Sequence, residues 1–179
     1  TIAAWGICDK LDMLIWLLAD AMGPALTTYT AQNMGAGRWN RVCKGNRIGA
    51  AMSVAAVGTV SLGLYFLTAP LGGLFVPVQD AAAVVPQAVA FMRRMAPFFL
   101  FYALAESFSG ACCGTGDTVR PMILTLLSIC LLRVLGILLV LPRQHTMECI
   151  IDIYISSWIA AGIGFLILWQ WEKNRVQKT

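Results

Sequence analysis

The sequence predicts an all-α fold, a polytopic transmembrane helical bundle of about five spans. Five long apolar stretches, about 3–34, 48–76, 97–114, 122–141 and 149–171, fill most of the 179 residues. A hydrocarbon core about 30 Å thick needs roughly 20 residues at 1.5 Å rise, and each stretch meets or approaches that length. Hydrophobic residues make up 59% of the chain and charged ones 12%, with a mean hydropathy of +0.74. A soluble domain carries about 25% charged residues, so too few exist here to clothe an apolar core. Backbone groups in lipid must be satisfied within helices or a closed barrel, and continuous apolar runs without strand alternation exclude the barrel.

The first stretch is amphipathic in its first half, where Asp9, Lys10 and Asp12 interrupt the apolar run. Asp9 and Asp12 stand three residues apart and are expected to share a helix face, with Asp20 further along. Gly23-Pro24 removes a backbone donor and predicts a kink. The helix then turns small and polar through Thr27, Thr28, Thr30, Gln32 and Asn33, and Gly35-Ala36-Gly37 ends it. A basic loop follows. The second span is rich in Gly, Ala and Ser from Ile48, closed by Pro70 and Gly72-Gly73. Asp80 to Met95 reads as a short amphipathic helix at the outer surface. Pro97 opens the third span, which carries Phe98, Phe99, Phe101, Tyr102 and Glu106, then Gly110-x-x-x-Gly114, a spacing suited to close helix packing. Gly114-Thr115-Gly116-Asp117 makes a turn, and Pro121 sits in the first turn of the fourth span. Arg133 interrupts that span. Pro142 to Glu148 forms the next loop, and the last span contains Asp152, Ser156, Ser157, Trp158 and Ala160-x-x-x-Gly164 before Trp169 and Trp171 at the interface. No internal repeat is visible.

Charge placement gives an orientation. Arg38, Arg41, Lys44, Arg47, Arg120, Lys173, Arg175 and Lys178 fall on one side if the spans alternate, against Arg93, Arg94 and Arg143 on the other. Eight against three places the C-terminus in the cytoplasm of a plasma (inner) membrane by the positive-inside rule. The basic clusters serve topology and imply no nucleic-acid partner. The six cysteines show no CxxC or Cys/His spacing, and the one histidine, His145, lies in a loop. No metal or cofactor is expected, and no nucleophile elbow, zinc helix or phosphate loop points to an enzyme. The chain begins Thr1-Ile2-Ala3 without Met or a signal sequence and reads as a piece of a longer protein.

A carboxylate within a span is costly unless it meets water or a partner, so Glu106 leads as a proton- or ion-responsive group. Asp9, Asp12 and Asp20 are further candidates for that coupling role. Phe98, Tyr102, Thr27, Gln32 and Asn33 are candidates for lining a substrate cavity, flat cations being attracted to aromatic faces. Arg133 is expected to fix helix packing through a carboxylate, Glu106 among the choices, or a carbonyl. The lipid bilayer is the evident partner.

At these residues the chain resembles the C-terminal half of a multidrug and toxin extrusion (MATE) transporter. Thr30-Ala31-Gln32-Asn33-Met34-Gly35-Ala36-Gly37-Arg38, with Arg41 beyond, is similar to that family's QN-x-GAG-(K/R) segment. Gly110, Gly114, Gly116, Asp117, Thr118, Pro121 and Met122 fit a second segment, although Cys113 stands where the family commonly has Arg. Cys130-Leu131-Leu132-Arg133 and Ser156-Ser157-Trp158 are similar to members of one bacterial branch. The resemblance implies that residues 1–179 form part of one lobe of a twelve-helix antiporter. The partner lobe of the same protein would complete it, and organic cations, drugs or toxins, would be exported against protons or sodium. It also places Glu106 at an acidic position of the similar branch. Two alternatives stay open, a lipid-linked saccharide flippase of the same superfamily and a small oligomeric channel or structural membrane subunit.

Overall fold

The computed structural model describes residues 2–142 and 146–176, the side chain of Val78 apart. Arg143, His145 and Lys178 lie outside the described residues. Helices dominate, and no strand occurs among the described residues. In order they are α1 (Ile2–Gly35), α2 (Trp39–Gly72), α3 (Val78–Met95), α4 (Phe99–Gly114), α5 (Val119–Thr125), α6 (Leu132–Val140) and α7 (Met147–Val176). A 3-10 turn, Ala96–Phe98, joins α3 to α4, and a π-helical stretch, Leu126–Leu131, joins α5 to α6.

Four helical stretches are long and apolar enough to cross a membrane: Trp39–Gly72, Gln79–Gly114, Val119–Val140 and Met147–Val176. They carry the second to fifth of the expected spans. With 34 residues α1 has the length, but Asp9, Lys10, Asp12 and Asp20 keep it below the same apolarity. Its buried residues Ala4, Ile7, Cys8, Leu11, Ile15 and Ala19 recur at three- and four-residue spacing and face the bundle. The helix α2 starts at Trp39, nine residues before the expected Ile48, and continues through Pro70 to Gly72.

The expected amphipathic helix is present as α3, with Ala88, Phe91, Met92 and Met95 buried along one stripe against α1 and α2. The core is centred on α1 and α4, which pack on each other, with α2 on one side and α7 on the other. The α5–α6 span lies outermost against α7. Only 6% of its most apolar window is buried, and Met122, Leu126, Leu131, Leu135, Leu138 and Leu139 point outward. Such a helix needs lipid or another protein surface around it.

Helix ends explain the motif glycines. At the end of α1, Arg38 N–H donates to the Asn33 carbonyl at 2.9 Å and Gly37 N–H to that of Met34 at 2.9 Å. These bonds form a Schellman turn whose left-handed residue is Gly37, at φ +67°. The turn after α4 uses Gly116 likewise, at φ +94°.

A buried polar pair joins α1 to α2. Thr30 and Asn46, both fully buried, bond reciprocally: the Thr30 hydroxyl donates to Asn46 Oδ1 at 3.0 Å and accepts from Nδ2 at 2.8 Å. Removing one partner strands the other away from water, a cost of about 1–3 kcal/mol. Asn46→Ala is therefore expected to lower the unfolding midpoint in detergent. Asn46→Leu combined with Thr30→Val should recover part of the loss, and strict additivity of the two changes would refute the pairing.

Candidate functional site

The basic loops converge at one end of the bundle. Arg120, at the start of α5, reaches both Asp117 in the preceding turn (2.5 Å) and Glu172 on the last turn of α7 (3.2 Å). Arg175 lies 3.3 Å from Glu172 and 3.9 Å from Asp117. Trp39, opening α2, meets Trp169 at 6.2 Å between ring centroids. At the opposite end Arg94 grips Asp152 through two bonds of 2.9 and 2.7 Å, so α3 is tied to the start of α7.

Between these ends, polar groups of α1 and α4 meet around the Gly23-Pro24 break. Tyr102 is buried, and its hydroxyl donates to Asp20 Oδ1 at 2.7 Å across the helix pair. Glu106 follows Tyr102 by four residues and therefore shares its face. It is half-buried, and its carboxyl rests against Gly23: a Cβ built there would lie 3.6 Å from Oε2. Asp20 and Glu106 are near enough to interact electrostatically. Pro24 lacks the N–H that would meet the Asp20 carbonyl, which adds a main-chain oxygen to the same turn of helix. Two carboxylates, a phenol and a loosened carbonyl make an oxygen-rich patch able to exchange a proton or hold a cation.

Three aromatic contacts seat this patch. Trp16 lies 4.7 Å from Tyr102 and 6.4 Å from Trp158 between ring centroids, and Phe99 lies 5.0 Å from Trp158. Below the patch the helices cross almost backbone to backbone. The Thr27 hydroxyl sits 3.0 Å from the Gly23 carbonyl and 2.9 Å from that of Gly110, donating its one proton to either. A side chain at Gly110 would collide with the Gly23 carbonyl, and one at Gly114 would come within 2.6 Å of the Thr27 carbonyl. The Gly110-x-x-x-Gly114 spacing is thus the seam of the α1–α4 pair.

Only Asp20, Tyr102 and Glu106 of the sequence candidates come together. Asp9 and Asp12 do not share a face: Asp9 is exposed, whereas Asp12 is 6% exposed among Cys8, Leu11 and Ile15. Asp12 precedes Asp20 by eight residues, about 12 Å along the helix. Thr27 joins the packing seam. Gln32 is exposed beyond it, and the Asn33 amide donates to the Tyr29 carbonyl at 2.8 Å within its own helix. Phe98 stacks on Phe101 at 6.5 Å between centroids, while Phe99, not Phe98, enters the core.

Arg133 meets α7, and its contacts among the described residues are with neither Glu106 nor another carboxylate. Its Nε donates to the Ser157 hydroxyl at 2.9 Å, and its guanidinium lies 4.0 Å over the Tyr154 ring. The π-helical stretch just before it widens one turn and resets the face of α6, which carries Arg133 toward α7. Sequence reasoning also missed Gly162. A Cβ built there would lie 2.9 Å from the Phe101 carbonyl, so α7 approaches the α4 backbone closely at Gly162, while Gly164 faces Leu124 instead. Among the described residues no cluster of three or more His, Cys, Asp or Glu side chains could hold a metal ion.

No curated protein matches the chain. The MatE family profile matches residues 1–139, which include α1 to α5 and all but the last residue of α6, with the Asp20–Tyr102–Glu106 patch and both glycine turns. An all-helical bundle of apolar spans with that profile over most of its length belongs to the MatE family of membrane transporters.

Proposed function

We propose that the chain supplies one lobe of an exporter that moves amphipathic, cationic compounds against a proton or sodium gradient, with the Asp20–Tyr102–Glu106 patch as the ion-responsive site. The observation that carries this reading is the Tyr102–Asp20 hydrogen bond across α1 and α4, with Glu106 one turn beyond it. A proton or a small cation between the two carboxylates relieves their repulsion and favours close approach of the helices; its loss favours separation. A patch with two affinities in two arrangements of the same helices couples an ion gradient to the movement of a lobe. The basic end then faces the cytoplasm, in keeping with the bias of Lys and Arg. Support for a saccharide flippase is weaker, because Arg133, a cation deep within the fourth expected span, is covered by the Tyr154 ring.

Flux measurements on the intact transporter in proteoliposomes test the reading. Ion-driven substrate efflux is expected to fall about tenfold or more in Asp20→Asn, the span of a 1–3 kcal/mol coupling energy. Ion-driven efflux at the parental rate in that variant would remove the patch from the mechanism.

A further inference from the structure

Arg133 carries a charge into the fourth span, and no carboxylate answers it among the described residues. Its Nε donates to the Ser157 hydroxyl at 2.9 Å and its guanidinium lies 4.0 Å over the Tyr154 ring, both neutral groups of α7. Ser157 gives its own proton to the Tyr154 carbonyl at 2.7 Å. The two acids at the start of α7 are engaged elsewhere: Arg94 grips Asp152 and lies 3.6 Å from Glu148. Nη2 of Arg133 is enclosed by protein and bonds to nothing among the described residues. A cation within a span is costly until it meets an anion or a full set of acceptors, and a guanidinium has five N–H donors to place.

An acceptor with capacity to spare belongs to the carboxylate patch. Tyr102, on α4, is near enough to Arg133 for the two to interact electrostatically. Its hydroxyl proton goes to Asp20 Oδ1 at 2.7 Å, and the phenol oxygen still has a lone pair to offer. Trp16, Trp158 and Tyr154 link Tyr102 to Arg133 ring by ring, at 4.7, 6.4 and 6.2 Å between successive centroids. Aromatic surroundings of this kind screen charge weakly. The charged and titratable groups of the region are Asp20 on α1, Tyr102 and Glu106 on α4, Cys130 before α6 and Tyr154 on α7, with Arg133 the cation among them. Arg133 also sits on the least buried span, two residues after the π-helical stretch, so little packing fixes its side chain.

We infer that Arg133 is the built-in counter-cation of the Asp20–Tyr102–Glu106 patch: when the coupled ion leaves, Nη2 donates to the Tyr102 phenol oxygen, and the polarised phenol holds the Asp20 carboxylate in its charged form. Two hydrogen bonds in series strengthen each other where the dielectric is low. When an ion returns it neutralises the carboxylates, the phenol is no longer drawn upon, and Arg133 rests on Ser157 and Tyr154. Arg133 thus competes with the coupled ion and speeds its release, acting through Tyr102 without touching the ion. The inference rests on the ion-coupling reading of the patch.

The test is ethidium efflux from proteoliposomes of the intact transporter, at graded sodium with pH fixed and at graded pH with sodium fixed. The readout is the ion concentration that gives half-maximal efflux. Arg133→Gln removes the competitor, so that concentration is expected to fall about fivefold or more, the lower end of coupling between two sites. Ser157→Ala frees Nε from its neutral anchor and should raise it, the opposite sign, which keeps the inference testable if Arg133→Gln fails to fold. In a Tyr102→Phe background the Arg133→Gln shift should vanish. A purely structural Arg133 predicts efflux reduced in proportion to folded protein, with the half-maximal concentration unmoved. That result, shifts of the same sign in Arg133→Gln and Ser157→Ala, or a full Arg133→Gln shift without the phenol would each overturn the inference. Ion-driven efflux retained by Glu106→Gln would remove the coupling reading itself. Its loss there, with unmoved half-maximal concentrations in the Arg133 and Ser157 variants, would remove this inference alone.

Discussion

Gly110→Val is expected to drive α1 and α4 apart and to lower the unfolding midpoint of the chain by about 5–10 °C, if the protein accumulates at all. The reason is geometric. A Cβ at residue 110 would sit on the Gly23 carbonyl, with the Gly23 carbonyl carbon 2.8 Å and its Cα 2.9 Å away. These are backbone atoms, so no side chain can rotate to make room. Overpacking ordinarily costs about 1–3 kcal/mol, and a clash against backbone lies at the upper end or beyond. Separation also costs the Thr27 bridge to the Gly110 carbonyl. A proper control is Gly63→Ala on α2, where a built Cβ meets nothing within 4 Å. There alanine should be neutral or stabilise by about 0.5–1 kcal/mol, through the lower entropy cost of helix formation. Thermal unfolding of both variants in detergent decides the matter: a Gly110→Val midpoint equal to that of Gly63→Ala would refute backbone contact at the seam.

Which parts of this fold were legible in the sequence follows from what hydropathy measures. It marks the stretch that lipid can surround, and so four of the five expected spans coincide with helices that qualify on length and apolarity. It does not mark where a helix stops. Asn40, Arg41, Lys44, Asn46 and Arg47 look like a loop, yet α2 already runs through them, because a helix can continue beyond the apolar layer with its polar residues solvated or paired. Helical spacing was informative over single turns and ambiguous at a boundary. Asp9 and Asp12 differ by about 60° around the axis, and the edge of the buried stripe passes between them. Gly37 could be read because left-handed backbone favours glycine and the motif ends there.

Partner identities were beyond reach. Glu172, between Trp171 and Lys173, is fully buried with Arg120 and Arg175 as partners, a placement that no sequence pattern announces. The partnership of Arg133 depends on the π-helical turn, which no local propensity announces. Tyr102 and Glu106 were evident as candidates from their types and their place in a span. Their link to Asp20, 82 residues before Tyr102, required the α1–α4 crossing. That crossing was itself foreshadowed by the Gly110-x-x-x-Gly114 spacing, while its partner segment at Gly23 was read only as a kink.

Glu106→Gln in the intact transporter is expected to abolish ion-driven efflux while leaving the fold in place. Glutamine keeps the volume and the polarity of the side chain where it rests against Gly23, so the seam one turn away at Gly110 is undisturbed. What it removes is the charge that Asp20 opposes. In the proposed cycle a proton or cation between these carboxylates lets α1 and α4 sit close, and its departure restores repulsion on two helices whose crossing is already at backbone contact. With Glu106 permanently neutral that alternation is lost, and efflux under an ion gradient should fall about tenfold or more. A purely structural Glu106 predicts the reverse pattern, a lowered unfolding midpoint with efflux reduced only in proportion to folded protein. Measuring both quantities on one preparation separates the two. On the proposal that Asp20 and Glu106 act on the same ion, adding Asp20→Asn to Glu106→Gln should cost little more than either alone. Two independent, multiplying losses would mean that the residues serve separate steps, and retention of ion-driven efflux by Glu106→Gln would place the coupling site elsewhere in the transporter.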